Sequence, residues 1–362
     1  MFRYGIEHEL ALLHDDGRFA DFTDLTYPQL RAVVDALPTD EADYRDLHVG
    51  DQGIKHKRWY VEGYERFDET GALIRYDPKG MEIRSRIHDS VEEVLAALRV
   101  DIDLLDDALA RADLRTTVIS FHPTRTSYPM VPELNAWERA SHTTPEDRSD
   151  HRHMLTYGPD LNLSSDEITD PVDVGRKLTH YSPWLVPLSF SSPFRAGGPW
   201  GGLSARTFQR TGVRPAVLVY LDAAAELIVS DPSLTRHARR PTEVGRIEFK
   251  AFDACGDPAL YGELLSMLTG LALDHTLPGR RTTPDADLHQ QVARNGLADD
   301  DVHAGTGALL TAAERALAGR AADLTRLASL RARWDRRECP AVEMLARYEA
   351  GEEVAGLRRR LH

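Results

Sequence analysis

The sequence predicts an α+β fold, sheet-rich to about residue 280 and all-helical from about 281 to 362. Three observations carry this. Residues 3–13, 80–87 and 245–253 alternate side-chain character with the two-residue period of a strand. Residues 91–109 repeat apolar side chains at the period of a helix, and Pro258 to Leu273 is a long apolar helix. From about Thr306 the chain is rich in Ala, Leu and Arg at helical spacing through Arg360, where the arginines form a solvated face. No repeat and no firm boundary divides the chain, so 1–362 reads as a single domain.

The elements follow in order. Arg3 to Leu13 is a strand, and Asp24 to Val34 suggests a short helix. Ile54 to Tyr64 and Leu73 to Tyr76 read as a hairpin around Asp68-Glu-Thr-Gly71, with Lys55 and Lys57 as ordinary exposed bases and the Glu82 strand next. Asp89-Ser90 with Glu93 is a helix start; Val91, Val94, Leu95, Leu98, Ile102, Leu105 and Leu109 then give the helix one apolar face to pack outside the sheet. Thr116 to Phe121 is a strand. The Pro-rich polar stretch that continues through residue 150 is too long for a simple turn and suits a lid. Residues 172–190 look helical and lead into a glycine-rich segment, Ser191 to Arg206, that is either a linker or a close approach of backbone to a ligand.

The chemistry lies in the strand faces. Alternation sets Gly5, Glu7 and Glu9 on one face and Tyr4, Ile6, His8 and Leu10 on the other. Two acids on one face must stay wet, pair with bases or be neutralised by cations. For an isolated Glu-x-Glu the solvated face is the commoner outcome. Glu82, Arg84 and Arg86 share a second face, and Glu248 and Lys250 a third, followed by Asp253. Curled into one sheet with these faces inward, the three strands would line a cavity suited to divalent cations and an anionic substrate such as a nucleoside triphosphate.

Composition narrows the options. The formal charge of -14 argues against nucleic-acid binding by a general basic surface, so an anionic substrate needs local bases and metal ions. Two cysteines, Cys255 and Cys339, make no disulfide framework, and no Cys/His metal spacing appears. Cys255 suits buried filler better than a nucleophile, and His151 and His153 lack the companion ligands of a zinc site. His8, opposite the two acids, is expected in the core; His122 is a site candidate or a surface-loop histidine in equal measure. With neither a signal segment nor a long apolar run, the expectation is a soluble cytoplasmic protein with no membrane partner.

Four motifs stand in sequence: Gly5-Ile-Glu-His-Glu9, Thr117-Val-Ile-Ser-Phe-His-Pro123, Ser191-Ser-Pro-Phe194 followed by Leu203-Ser-Ala-Arg206, and Arg246-Ile-Glu-Phe-Lys-Ala-Phe-Asp253. In order and rough spacing they resemble the bacterial type 2 glutamate–cysteine ligase and carboxylate–amine ligase family. The resemblance implies a glutamine-synthetase-like fold, a curved, mainly antiparallel sheet forming a funnel with helices packed outside and a helical C-terminal region. It implies that ATP and Mg²⁺ bind inside, that a glutamate-like carboxylate is phosphorylated and that an amine displaces the phosphate. It also implies a cytoplasmic catalytic unit acting on small-molecule carboxylate and amine substrates, with a homo-oligomer as one arrangement.

On that resemblance Glu7, Glu9, Glu82, Asp160 and Glu248 would hold Mg²⁺, and Arg84, Arg206 and Lys250 would contact ATP or substrate. Arg195 and Arg210 stand near the glycine-rich segment. The catalytic set is Glu7, Glu82, Arg84, Asp160, Arg206 and Glu248. Two positions depart from the family pattern: Asp160 stands in the usual histidine place, and Lys250 where arginine is common. Aspartate ligates Mg²⁺ but donates no proton at neutral pH unless its pKa is raised, and lysine offers a point charge in place of a bidentate fork. The alternatives are a phosphotransferase or amide hydrolase with the same acids, or a non-catalytic nucleotide-binding homologue.

Overall fold

The computed structural model describes residues 1–47, 56–147, 151–210 and 212–352. Ile54 and Lys55, the end of the Pro-rich stretch at 148–150 and the expected helix beyond 352 lie outside the described residues. The strands are β1 (Phe2–His14), β2 (Phe19–Ala20), β3 (Trp59–Phe67), β4 (Leu73–Arg84), β5 (Leu114–Thr117), β6 (Pro159–Ser165), β7 (Phe194–Arg195), β8 (Gly198–Pro199), β9 (Val217–Leu221), β10 (Thr235–His237) and β11 (Ile247–Phe249). Among the described residues one nine-stranded sheet runs β10-β9-β11-β6-β1-β4-β3, with β2 and β5 also paired to β1 and β7-β8 as a separate hairpin. Within it β9 and β10 run parallel; the neighbours from β9 through β3 are antiparallel.

The helices are α1 (Tyr27–Ala36), α2 (Glu41–Asp46), α3 (Val91–Leu109), α4 (Ala136–Ser141), α5 (Pro171–Leu185), α6 (Ala205–Arg210), α7 (Pro258–Leu273), α8 (Ala286–Asn295), α9 (Asp300–Ala316), α10 (Ala321–Asp335) and α11 (Pro340–Glu349). The sheet curls, and helices pack on its outer face, as the α+β funnel requires. No helix among the described residues is long and apolar enough to cross a membrane.

Strand β1 is the spine. Its alternation buries Tyr4, Ile6, His8 and Leu10 while Gly5, Glu7 and Glu9 stay partly open, as two-residue periodicity dictates. His8 is a core residue: its Nε2 lies 2.7 Å from the Tyr261 hydroxyl, and burial lowers its pKa to about 4. Helix α7 explains its own all-round apolar sequence by being almost wholly buried between the sheet and α9 and α10. Asp257 caps its first turn and Pro258 opens it. Helix α3 begins where Ser90 Oγ accepts from the Glu93 N–H, and it buries the expected apolar stripe.

Several expectations shift. The second arm of the hairpin, Leu73 to Tyr76, and the Glu82 strand are one continuous strand, β4. Lys57 is buried instead of exposed: its ammonium donates to the carbonyls of Val34 at 2.5 Å and Leu37 at 2.6 Å at the C-terminal end of α1, where carbonyls run out of helical partners. His122 is neither a surface nor a cavity residue, because its ring is buried with Nε2 3.2 Å from Asp21 and Nδ1 accepting from the Arg125 N–H. The glycine-rich segment forms the β7-β8 hairpin, and its glycines do not line the cavity. Buried Asp253 fixes it by accepting from the Ser191 N–H and the Ser192 and Ser204 hydroxyls at 2.7–3.0 Å. The Pro-rich connection builds a cavity wall through Glu138, His142 and Glu146. Glu138 pairs with Arg66 at 2.7 Å, and Glu146 accepts from the Ser233 N–H at 2.7 Å.

Candidate active site

The inner faces of β1, β3, β4, β6, β9 and β11 enclose a cavity of about 640 Å³, within the usual range for small-molecule sites. The metal-, ATP- and substrate-contacting residues that the resemblance implies all line it: Glu7, Glu9, Glu82, Arg84, Asp160, Arg206, Glu248 and Lys250. Register explains the meeting. Glu7 pairs with Arg84 on β4 and with Asp160 on β6, Glu9 pairs with Glu82, and Glu248 lies across from Asn162.

The acids fall into two triads, Glu7 with Asp160 and Glu248, and Glu9 with Glu62 and Glu82; within each, three carboxylate oxygens lie within 4.8 Å of one another. In the first, the Lys250 ammonium donates to both Asp160 and Glu248. Arg246 lies 3.0 Å from Glu7 and stacks 3.9 Å over the Tyr220 ring, whose hydroxyl donates to Glu248. Burial opposes ionisation of Glu248, yet Lys250 and Arg246 hold it well below the usual carboxylate range. Asp160 is pushed up to about 7 by burial and by the charges of Glu248 and Glu7, with Lys250 pulling the other way.

In the second triad Lys79 reaches Glu9 at 2.7 Å and Glu62 at 3.7 Å, and its remaining donors go to the carbonyls of His153 and Thr156. Burial works to raise Glu9, but Lys79 outweighs it and keeps the group below its ordinary value. Burial and the neighbouring charges of Glu62, Glu9 and Glu7 push Glu82 well above the usual range. Lys79 is the extra residue of a β-bulge, since Glu62 pairs with Gly80 while Gly63 pairs with Pro78. The bulge turns its side chain toward Glu9. Gly80 then runs so close to the Leu10 carbonyl that a Cβ there would overlap it.

Bases ring the acids. Arg84 is buried, with Nε donating to the Lys57 carbonyl at 3.1 Å. Arg206 donates to the carbonyls of Ala251 and Lys250 at 3.1 and 3.0 Å and lies against Gly158, where a Cβ would overlap the guanidinium. Arg210 also lines the cavity, but Arg195 does not. Arg86 reaches the outer edge, paired with Asp43 at 3.0 Å. His151 and His153 line the cavity too; burial, with Arg214 and Lys79 near, pulls His153 well below the ordinary histidine value.

Glu62, Lys79, Tyr220 and Arg246 belong to the site and were not singled out from sequence. The donor set fits a hard divalent cation: carboxylate oxygens crowd together, burial and the neighbouring acids push Glu82 well above the usual carboxylate range, and the buried Asn162 Oδ1 in the cavity wall has no hydrogen-bond partner. Cys255, its thiol pushed up to about 12 by burial, is filler.

No protein-family model matches the chain, and no curated protein matches it in sequence. Solved structures do match in fold. Glutamate–cysteine ligase from Francisella tularensis, solved in complex with AMP, superposes with a TM-score of 0.58 at 12% identity over 97% of this chain and 85% of its own. A bifunctional glutathione synthetase from Pasteurella multocida gives 0.60 at 12% identity over 98% of this chain, which spans 51% of that enzyme's length. Over nearly its whole length the chain is thus similar in fold to these ligases.

Proposed function

We propose that this chain is an ATP-dependent carboxylate–amine ligase that activates a glutamate-like acid as an acyl phosphate and joins it to an amine. The observation that carries this reading is the pair of carboxylate triads side by side along β1 in one arginine-lined cavity. The glutamate–cysteine ligase of similar fold, solved with AMP, supports a nucleotide in the cavity.

Glu9, Glu62 and Glu82 would hold Mg²⁺, with Glu7, Asp160 and Glu248 lining the side where Lys250 sits. Bound Mg²⁺ would supply charge neutralisation among phosphate oxygens during transfer. Arg84 and Arg206, anchored through backbone carbonyls, hold fixed positive charge against the phosphoryl group or the substrate carboxylate without reorganising. The incoming amine must shed a proton as the C–N bond forms and phosphate leaves. Asp160, with a pKa near 7, is matched to accept it at neutral pH.

The test is ADP formation and product mass across a panel of acids and amines with ATP and Mg²⁺. Ligation requires ADP release that depends on both acid and amine, and a product whose mass equals their sum less water. ADP release with the acid alone would indicate a phosphotransferase. Nucleotide binding without turnover across the panel would indicate a binding protein.

A further inference from the structure

We propose that Lys250 is a tethered cation that takes the place of a divalent ion in the triad of Glu7, Asp160 and Glu248, so the cavity loads one divalent ion fewer than its two triads would hold. The inference rests on reading the cavity as a divalent-cation site. The triads are alike in size and spacing but differ in how protein cations meet them. The Lys250 ammonium lies between two members of the first triad and donates to both Asp160 and Glu248. Its backbone is pinned as well, the N–H donating to the Ala216 carbonyl at 2.8 Å. Glu7, the third member, is paired with Arg246 at 3.0 Å, and that guanidinium also lies 3.8 Å from Glu248.

Three carboxylates are thus met by two side-chain cations, with an ammonium where an ion bridging Asp160 and Glu248 would sit. A divalent ion entering there would meet a like charge at contact distance and strip Lys250 of both charge-assisted hydrogen bonds. The second triad differs. Lys79 approaches it from the Glu9 edge and gives its other donors to the carbonyls of His153 and Thr156. Its ammonium donates to Glu9 at 2.7 Å and stands off at 3.7 Å from Glu62, so an external cation has one tight protein contact to displace there instead of two.

Counting Mn²⁺ ions bound to the full chain without nucleotide, by the paramagnetic resonance of free Mn²⁺ and by calorimetry, tests this. Lys250→Met should bind one ion more than the unmodified protein. Asp160→Asn should leave the number unchanged, whereas Glu62→Gln should lower it by one. A folded Lys250→Met that binds the same number would overturn the proposal, and so would loss of an ion in Asp160→Asn. If Lys250→Met does not fold in metal-free buffer, Asp160→Asn decides alone. Failure of the ligase reading is separable: the ion numbers come out as expected while no acid and amine pair releases ADP. An absence of Mn²⁺ binding in every variant, Lys250→Met included, overturns both.

Discussion

Loading of a divalent ion at pH 7 is expected to expel about one proton, and that proton comes from Glu82. Its carboxylate oxygen lies within 4.8 Å of those of Glu9 and Glu62, a separation at which each like-charge pair costs about 3.5 kcal/mol at an effective dielectric of about 20. Keeping a proton at pH 7 on a carboxyl whose ordinary value is 4.5 costs about 3.5 kcal/mol, at about 1.4 kcal/mol for each tenfold step. The two acid neighbours together oppose ionisation by more than this, Lys79 beside Glu9 offsets part of it, and burial acts in the same direction as the acids, so Glu82 is held well above the usual carboxylate range. A dication among the three oxygens reverses the balance. Calorimetric titration with Mn²⁺ in two buffers of different ionisation enthalpy reads the protons released, and Glu82→Gln should abolish the release. The sign for stability follows. A carboxyl raised on folding contributes stability below its unfolded value, and loses it as pH rises through the folded one. Metal-free protein should therefore soften toward alkaline pH, where Glu82→Gln becomes the more stable form. A binding enthalpy independent of the buffer would show that the triad is fully ionised without metal and refute the reasoning.

Glu248→Gln should cut ADP formation roughly 100-fold with the fold intact, because Lys250 loses one of its two charged anchors and a fixed electrostatic contact goes with it; circular dichroism checks the fold and a coupled assay the rate. Lys57→Met should lower stability in urea unfolding by roughly 3 kcal/mol, since carbonyls at the end of α1 lose a charged donor in a buried position. Cys255 and Cys339 should stay unreactive toward a thiol reagent until the protein unfolds, both thiols being buried and pushed up to about 12.

The acids of β1, β4 and β11 were legible because strand alternation fixes which face a side chain takes, and two glutamates two apart cannot be hidden by a shift in element ends. Glu62 was not, although it sits in the expected hairpin. Counting back from the Phe67 and Leu73 pair sets it opposite Pro78, whereas two register irregularities bring it opposite Gly80, diagonal to Glu82. Lys79 was hidden by the same bulge, with Pro78 and Gly80 as its trace in the sequence. Arg246 stood in a quoted motif, but its partner Glu7 is 239 residues away, and no local pattern carries such a pairing. Lys57 and His122 went astray for a related reason: a polar side chain is exposed by default, and burial becomes favourable only when distant backbone or an aspartate completes its bonds.

Strand β1 supplies one member to each acid triad, Glu7 to the first and Glu9 to the second. Their separation is therefore a length of covalent chain, two residues at roughly 3.4 Å each. The strand works as a ruler whose markings no loop movement can respace. Partner residues on β3, β4, β6 and β11 can be exchanged singly, as lysine or aspartate for other donors, while the interval between the two charge centres stays constant. A nucleotide's phosphates, themselves a chain of fixed spacing, would be measured against that interval.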